Sequence, residues 1–348
     1  IIVMHTGELI WKERDVKMNL IYDALPYPNF VTLAGKFLAM VYMFISLLTI
    51  LMLTGMAIQT MSGYTDFQVG LYVKTLFSET LSFLILFTFL GFLFQSLLNH
   101  KFVGHAVFVL FFISTMIFGQ LGLEHRMFQF GETGLGNFSD MNGYRHYVPT
   151  FSWFNIYWFG LAGILFAIAL LFSTRGAETA FMMRLKKSRL RLTKPLLTFG
   201  LFSMMLFMGS GCYIFYNTNI QNEYTNSKEN EKSQADYEKT LKKYEDIAQP
   251  KITDVYLEID IFPKERDFEA RGIYQLKNKT DETISQIHLQ YNPDKNITNS
   301  VKFGTDATIK EAFEKFNYYI YELKKPLAPG DSLQMDFVTK FDTKGFVE

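Results

Sequence analysis

The sequence contains a single cysteine, Cys212, and this scarcity excludes whole classes of architecture. One thiol cannot close a disulfide within the chain, nor can it build the multi-cysteine sites that hold structural zinc. The chain also lacks the compact His-Glu-x-x-His motif of zinc peptidases and the Gly-x-x-x-x-Gly-Lys-Ser/Thr loop of ATP-binding proteins. We therefore assign no catalytic residue, no cofactor-binding residue and no metal ligand within these 348 residues.

The chain also has no formal net charge, because 34 lysines and arginines are balanced by 34 aspartates and glutamates. A formal charge of zero gives no electrostatic sign of a nucleic-acid partner. The balance hides two unlike parts of the chain. Residues 31–216 consist mostly of long apolar blocks, and residues 217–348 are polar and charged. The composition predicts a part embedded in the lipid bilayer, followed by an extramembrane domain.

Five apolar segments are long enough to cross a hydrocarbon layer, which takes about 20 helical residues. A short amphipathic helix of mixed charge precedes them within residues 1–30 and ends at the proline pair Pro26 and Pro28. Two interpretations of this helix stay open: a surface helix lying along the membrane, and a cytoplasmic segment that docks a partner. The five segments lie at about residues 37–61, 71–98, 102–121, 153–172 and 196–216.

A basic run at residues 175–194 lies between the fourth and fifth apolar segments, with Glu178 as its only acid. Lysines and arginines in short loops beside membrane spans stay on the cytoplasmic side. We therefore expect this run inside the cell, with residues 1–30 on the same side. The loops at 62–70 and 122–152, and the chain after Tyr216, are then expected outside. The residues that set this topology are Arg184, Lys186, Lys187, Arg189, Arg191 and Lys194.

Glu79 is the only acid inside an apolar segment. In a helix that starts at Leu71 it would lie roughly 12 Å from the start, at about 1.5 Å per residue. A carboxylate at that depth usually faces the bundle interior or a polar path, which makes Glu79 a candidate intramembrane polar residue. We favour the simpler alternative, in which residues 81–98 span the layer and Glu79 lies among the lipid headgroups.

Three chemically suitable metal ligands share the long outer loop: Glu124, His125 and His146. Histidine and carboxylate side chains are common zinc ligands. The six histidines of the chain are otherwise scattered over both predicted sides of the membrane. This scatter favours ordinary interfacial histidines over a metal site.

The polar tail changes its periodicity at Pro250. Before it, residues 217–250 are strongly charged, and helical spacing predicts a charged helical stalk. From residue 251 onward, five runs alternate apolar and polar residues between turn sequences, which is typical of antiparallel strands with one buried face. The stripe of the predicted stalk consists of Tyr237, Leu241, Tyr244 and Ala248, and the strand runs lie near residues 255, 268, 287, 319 and 333.

The predicted fold class is thus an α-helical polytopic membrane protein with five transmembrane helices, followed by a mostly antiparallel β-sandwich or saddle-shaped domain. The first part is a permease-like domain over residues 31–216. The β domain occupies residues 251–348 outside the cytoplasm, and its roughly 100 residues can bury a modest core.

Three stretches resemble one group of proteins. GELIWKERD at residues 7–15, continuing to YDALPYPN at 22–29, resembles the cytoplasmic segment of ABC-type export permeases that are fused to an aminopeptidase. SDMNGY at residues 139–144, followed by His146 and Pro149, is similar to the outer-loop signature of the same group. KITDVYLEIDIFP at residues 251–263 resembles the opening of the amino-terminal sheet domain of zinc aminopeptidases of the aminopeptidase N type.

This resemblance implies a fusion protein of the bacterial inner membrane, with a permease first and a periplasmic peptidase second. It implies that the chain is a fragment, with catalysis and zinc in a peptidase module beyond residue 348. It implies that ATP is bound by a separate ABC ATPase subunit, and that residues 11–28 contact this subunit. The candidate docking residues are Trp11, Lys12, Glu13, Arg14 and Asp15.

Two other functions stay open at this stage. The spans could serve only to anchor a metallo-aminopeptidase that acts on peptides outside the cytoplasm. Alternatively, the chain could be a membrane receptor whose β domain binds a peptide or protein along its exposed edges. In each case the lipid bilayer is a partner, and nothing in the sequence points to nucleic acid.

Overall fold

The computed structural model describes residues 1–98, 100–173 and 181–347, and it divides them into two units. The helical unit is Ile1–Phe215, and the β unit is Tyr216–Val347. Among the described residues, five helices are long and apolar enough to cross a membrane, as the sequence predicts. The protein is therefore an α-helical membrane protein with a following antiparallel β domain.

The helical unit begins with α1 (Ile2–Asp15) and the short α2 (Asn19–Tyr22), and its spans follow. Pro28 precedes the first span with extended backbone, but the amphipathic helix already ends at Asp15 and not at the prolines, because Lys17 takes a positive φ. The second span is continuous from Val69 to Leu97 but contains a π-helical segment, Thr75–Thr80. The remaining helices are α3 (Asn29–Met61), α4 (Val69–Lys74), α5 (Leu81–Leu97), α6 (Lys101–Phe118), α7 (Val148–Phe172), α8 (Phe181–Arg191) and α9 (Lys194–Phe215).

Helix α1 packs into the bundle, which its mixed charge does not predict. Thr6 and Gly7 are buried against α5 and α6. A Cβ on Gly91 of α5 would lie 2.9 Å from the Thr6 hydroxyl oxygen, so glycine is what allows the two helices to approach this closely. Ile2 and Ile10 add apolar contacts with the bundle core. α1 is an integral part of the helical unit rather than a helix lying free on its surface.

The β unit begins with a π-helical segment (Tyr216–Gln221) and α10 (Ser227–Leu241), and two antiparallel sheets follow within the described residues. The four-stranded sheet has the order β1-β2-β7-β4, and the three-stranded sheet has the order β3-β6-β5. The strands are β1 (Lys251–Phe262), β2 (Asp267–Lys277), β3 (Ile284–Gln290), β4 (Ile297–Phe303), β5 (Ala307–Phe313), β6 (Tyr318–Leu327) and β7 (Ser332–Phe341).

The core of the β unit lies between the two sheets and does not include β1. Leu276, Ile287, Phe303 and Met335 are among its buried residues. The β1 strand is exposed on both faces along its whole length. The expectation of one buried face is therefore wrong for this strand, because β1 is an edge strand that contributes no residue to the core between the sheets.

The predicted stalk packs against the three-stranded sheet. The Tyr237 hydroxyl donates to the Gln290 side chain at 3.1 Å, and the Tyr244 hydroxyl donates to Glu311 at 2.8 Å. Leu241 is buried and Ala248 packs on the core, so the predicted apolar stripe is the packing face. Because this face is covered, residues 217–250 belong to the β unit and do not form a separate stalk.

Candidate functional site

Most of the sequence-predicted residues meet at one end of the helical unit, which we name the basic end. There α1, α5 and α7 finish while α3, α6 and α9 begin. Direct contacts join these helix ends: Asn29 Nδ2 donates to Ser173 Oγ at 3.0 Å, and Lys101 Nζ lies 3.2 Å from Asp15 Oδ2. The basic end therefore collects the helix termini on one side of the bundle.

Arg184 is the best-buried charge of the basic end, with 6% of its surface exposed. Its Nη1 donates to the carbonyl of Leu97 at 3.1 Å, and its Nη2 donates to the carbonyls of Ser96 and Phe172. These carbonyls close α5 and α7, where the last turn has no backbone donor. A cation at a helix carboxyl end also complements the helix dipole. One guanidinium thus joins the ends of two spans.

Burial lowers the pKa of Arg184 from its ordinary value, and the nearby Arg14 and Arg191 lower it further. Arg191 lies beside Arg184 and donates through Nη1 to the carbonyls of Leu171 and Ser173. Two of the six topology-setting residues therefore hold the carboxyl end of α7.

The other four topology-setting residues, Lys186, Lys187, Arg189 and Lys194, are exposed. The first part of the predicted basic run, residues 174–180 with Glu178, lies outside the described residues. Arg184 and Arg191 therefore act within the protein, whereas these four side chains face its surroundings. The sequence alone does not separate the two groups, because all six are basic residues in one short run.

The candidate docking residues mostly contact the bundle. Trp11 Nε1 donates to Gln95 Oε1 at 2.8 Å, and Glu13 Oε2 lies 2.7 Å from Lys36 Nζ. The Asp15 carboxylate pairs with Lys101, and Lys12 is exposed. These contacts tie the end of α1 to α5, α3 and α6 at once.

Arg14 stacks over the Trp11 ring, with its guanidinium carbon 5.6 Å from the ring centroid. Burial lowers the pKa of Arg14 from its ordinary value, while the carboxylates of Asp23 and Glu13 act in the opposite direction. Its Nη2 is buried, and it has no hydrogen-bond partner within the described part of the chain. A buried donor of this kind is costly unless something accepts from it.

A polar cavity of about 90 Å³ opens at this point. Its lining includes Lys36 of α3 and the hydroxyl residues Ser96 and Ser173, which lie beside the Arg184 and Arg191 contacts. The cavity is therefore lined by residues of the predicted docking segment and by two helix-end serines whose carbonyls accept from Arg184 and Arg191. Five lining residues come from the predicted docking segment 11–28: Glu13, Arg14, Asn19, Asp23 and Tyr27.

Glu79 lies far from the basic end, in the π-helical segment that interrupts the second span. Eighteen residues separate it from Leu97, which is about 27 Å at about 1.5 Å per residue and close to one hydrocarbon thickness. The charge of Glu132, which lies in the loop after α6, acts on it. This placement at the opposite end fits the headgroup alternative better than a position in the middle of the bundle.

The loop of residues 119–147, which we name the outer loop after its predicted side, enters the bundle through Phe130. The Phe130 ring centroid lies 5.2 Å from those of Phe87 and Trp158. Trp158 Nε1 donates a hydrogen bond to the Glu132 carbonyl at 2.8 Å. This backbone carbonyl of the loop is therefore hydrogen-bonded although its surroundings are apolar. The sequence analysis did not predict that Phe130 enters the bundle. The local sequence signal is a pair of nearby glycines that take a positive φ in the structure, Gly131 and Gly134.

The histidines of this loop have different environments. His125 is buried, and burial together with the neighbouring Arg126 lowers its pKa to about 4. Its Nδ1 accepts a hydrogen bond from the Met127 backbone N–H at 3.2 Å. His146 is exposed and contacts Asn142 at 3.3 Å. Within the described residues, no group of three or more histidines, cysteines and acids comes together as a metal site would require.

No family model, no curated protein and no solved structure matches this chain.

Proposed function

We propose that this chain is the membrane permease subunit of an ABC-type transporter in the bacterial inner membrane. In the full-length protein we propose that it is fused to a periplasmic zinc aminopeptidase module. The observation that carries the permease proposal is the polar cavity of the basic end, because the segment resembling the ATPase contact of export permeases lines it. The resemblance of residues 139–149 and 251–263 supports the fused arrangement.

The distribution of basic residues supports our assignment of the basic end to one side of the membrane. The basic end holds Lys186, Lys187, Arg189 and Lys194 on its exposed surface, and lysines and arginines next to spans remain in the cytoplasm. We therefore propose that the cavity faces the cytoplasm, where an ATPase with its bound ATP is found. The chain crosses once more through α9, so we propose that the β unit is periplasmic.

The contacts of α1 suggest how ATPase movement would reach the spans. A partner seated on the cavity touches Arg14 and the residues that follow α1. Trp11, Glu13 and Asp15 are bonded to three different helices, so a shift of this end of α1 is transmitted to α5, α3 and α6. Rigid helices that move as bodies are an established way of coupling nucleotide hydrolysis to a distant site.

Recovery of the ATPase with affinity-purified full-length protein tests this proposal. Deleting residues 7–22 is a poor experiment, because it removes the buried part of α1 together with the docking residues. We expect that Arg14→Glu reduces the recovered ATPase at least tenfold, since a carboxylate replaces a buried donor of the cavity lining that has no hydrogen-bond partner among the described residues. The matched control is Arg145→Glu, an exposed arginine of the outer loop.

Equal ATPase recovery from Arg14→Glu and Arg145→Glu would contradict docking at the cavity. Size-exclusion profiles of both variants separate this result from misfolding. An equal loss of ATPase recovery in both variants would also contradict docking at the cavity, since the outer loop is not part of the proposed contact.

A membrane-anchored aminopeptidase is the second candidate, and one observation favours it. The β1 strand exposes a row of apolar side chains, with Val255 at 58%, Ile259 at 49% and Ile261 at 68% exposure. Such a row on a soluble domain marks a surface that another domain covers, as a fused peptidase module would. If the spans were only an anchor, Arg14→Glu would leave both ATPase recovery and peptide hydrolysis by the full-length protein unchanged.

A receptor that binds peptides or proteins is the third candidate. The outer edge of β1 is unpaired within the described residues, so an extended peptide could add to it as a further strand. A receptor would keep the apolar row of β1 exposed in the full-length protein. It would bind peptides without hydrolysing them.

A further inference from the structure

The inner face of helix α8 packs against the ends of the spans. Arg184 and Ser188, four residues apart, are its two buried side chains. Arg184 bonds the last carbonyls of α5 and α7, and Arg191, one turn beyond Ser188, bonds those at the end of α7. The helix is therefore fixed along the basic end, at the level where two spans finish.

The outer face of α8 mixes apolar and basic side chains. Lys186 and Arg189 are exposed between apolar residues that are exposed as well, including Leu190 at 85%. A helix that faces only water has no reason to present this many apolar side chains. A helix in the membrane interface does, because its apolar side chains enter the acyl boundary while its bases reach the headgroups. The exposed apolar residues are Phe181, Met182, Met183, Leu185 and Leu190.

The position of α8 agrees with this chemistry. The carbonyls of Leu97 and Phe172, which Arg184 holds, are the ends of two helices that cross the hydrocarbon layer. The exposed Leu192 and Leu197 continue the apolar surface from α8 onto the first turn of α9. Because α9 is a candidate membrane span that begins three residues after α8 ends, α8 adjoins in the chain a helix that contacts lipid.

We propose that α8 is an interfacial helix that binds anionic phospholipid headgroups through Lys186 and Arg189. The apolar residues set its depth, and the two cations select lipids of negative charge. Neither cation has an ion pair or hydrogen bond within the described residues, so both are available to phosphate oxygens. The proposal does not depend on the ATPase, since Lys186 and Arg189 are not among the residues that line the cavity.

The test uses the full chain, reconstituted in nanodiscs that contain equal amounts of phosphatidylglycerol and phosphatidylcholine. The protein is then re-extracted in mild detergent, and the lipids it retains are counted by native mass spectrometry. We expect the unaltered protein to retain phosphatidylglycerol in preference to phosphatidylcholine. Each basic residue near an anionic surface contributes roughly fivefold, so Lys186→Gln with Arg189→Gln should reduce the preference by at least tenfold.

Two control variants make the result specific. Lys228→Gln with Lys232→Gln removes the same charge from exposed positions on α10, and it should keep the preference. Lys186→Arg with Arg189→Lys retains both charges and should also keep it. Raising the salt from about 0.1 M to about 1 M during extraction should weaken the preference of the unaltered protein, because the screening length falls from about 10 Å to about 3 Å.

Three results would overturn the proposal. The first is equal retention of the two lipids by the unaltered protein. The second is an unchanged preference in Lys186→Gln with Arg189→Gln. The third is loss of preference to the same extent in the α10 control, which would show a response to net charge alone. If the α8 variant keeps its lipids but loses the ATPase, the surface belongs to the protein partner and the lipid proposal fails.

Discussion

At the scale of single residues, Arg184 supplies donors to helix ends that no backbone N–H reaches. Its three carbonyl contacts join α5 to α7. We expect Arg184→Gln to lower the thermal unfolding midpoint of the detergent-solubilised protein markedly, because hydrogen bonds to a charged group contribute about 1.5–3 kcal/mol each. The Arg184→Lys variant should also be less stable than the unaltered protein, since an ammonium cannot reproduce the planar fork of donors of a guanidinium.

The control for this prediction is Arg189→Gln on the same helix, whose side chain is exposed. Its midpoint should stay close to that of the unaltered protein. If Arg184→Gln and Arg189→Gln unfold at the same temperature, Arg184 does not hold the helix ends together.

His125 gives the helical unit a pH dependence with a definite sign. Its pKa is about 4 in the folded protein, against about 6.5 for an exposed histidine. The unfolded chain therefore takes up this proton first as the pH falls. Stability from this group is complete above about pH 6.5, and it declines down to about pH 4 by roughly 3 kcal/mol.

Protease cleavage of the outer loop between pH 7 and 4.5 measures this effect. Cleavage of the unaltered protein should accelerate as the pH falls, and His125→Gln should show a much flatter dependence. His146→Gln, which alters an exposed histidine of the same loop, should behave like the unaltered protein. Identical pH profiles for His125→Gln and the unaltered protein would exclude His125 as the titrating group.

At the scale of elements, the outer loop has a part inside the bundle and a part outside it. Phe130 packs against Phe87 and Trp158, whereas Phe128 is 54% exposed. With Cys212→Ser as background, Phe130→Cys should react with a membrane-impermeant maleimide at least tenfold more slowly than Phe128→Cys. Because both changes replace phenylalanine in one loop, equal rates would show that the loop does not enter the bundle.

The spans were predictable from sequence because length and apolar content are local properties. The packing of α1 into the bundle was not, since it depends on Gly7 and Gly91 meeting side chains from distant segments. The edge strands β4 and β5 also escaped notice: β4 has Asn299 among its inward positions, and β5 is mostly exposed with a bulge near Ile309. Neither strand carries an unbroken apolar face, so its alternation is weak in the sequence, whereas the edge strand β1 alternates clearly and was predicted.

The candidate site was predictable in its parts but not in its assembly. Residues 11–15 and the basic run each have a recognisable sequence pattern. Their approach to one another at the basic end depends on which helix ends come together, and Gln95, Ser96 and Ser173, which complete the site, have no distinguishing sequence context. Such residues can be found only once the helices are packed.

At the scale of the whole molecule, the account rests on which side of the membrane the basic end occupies. The docking, lipid-binding and peptidase proposals all place it in the cytoplasm and the β unit in the periplasm. Single cysteines at two exposed positions, Lys186→Cys of α8 and Lys302→Cys of β4, examine both sides independently. The background is again Cys212→Ser, which removes the only native thiol.

The most direct measurement is labelling of these two variants with an impermeant maleimide in spheroplasts, before and after permeabilisation. We predict that Lys302→Cys reacts at once and that Lys186→Cys reacts only after the membrane is permeabilised. Immediate labelling of Lys186→Cys, with Lys302→Cys protected until permeabilisation, would contradict the account.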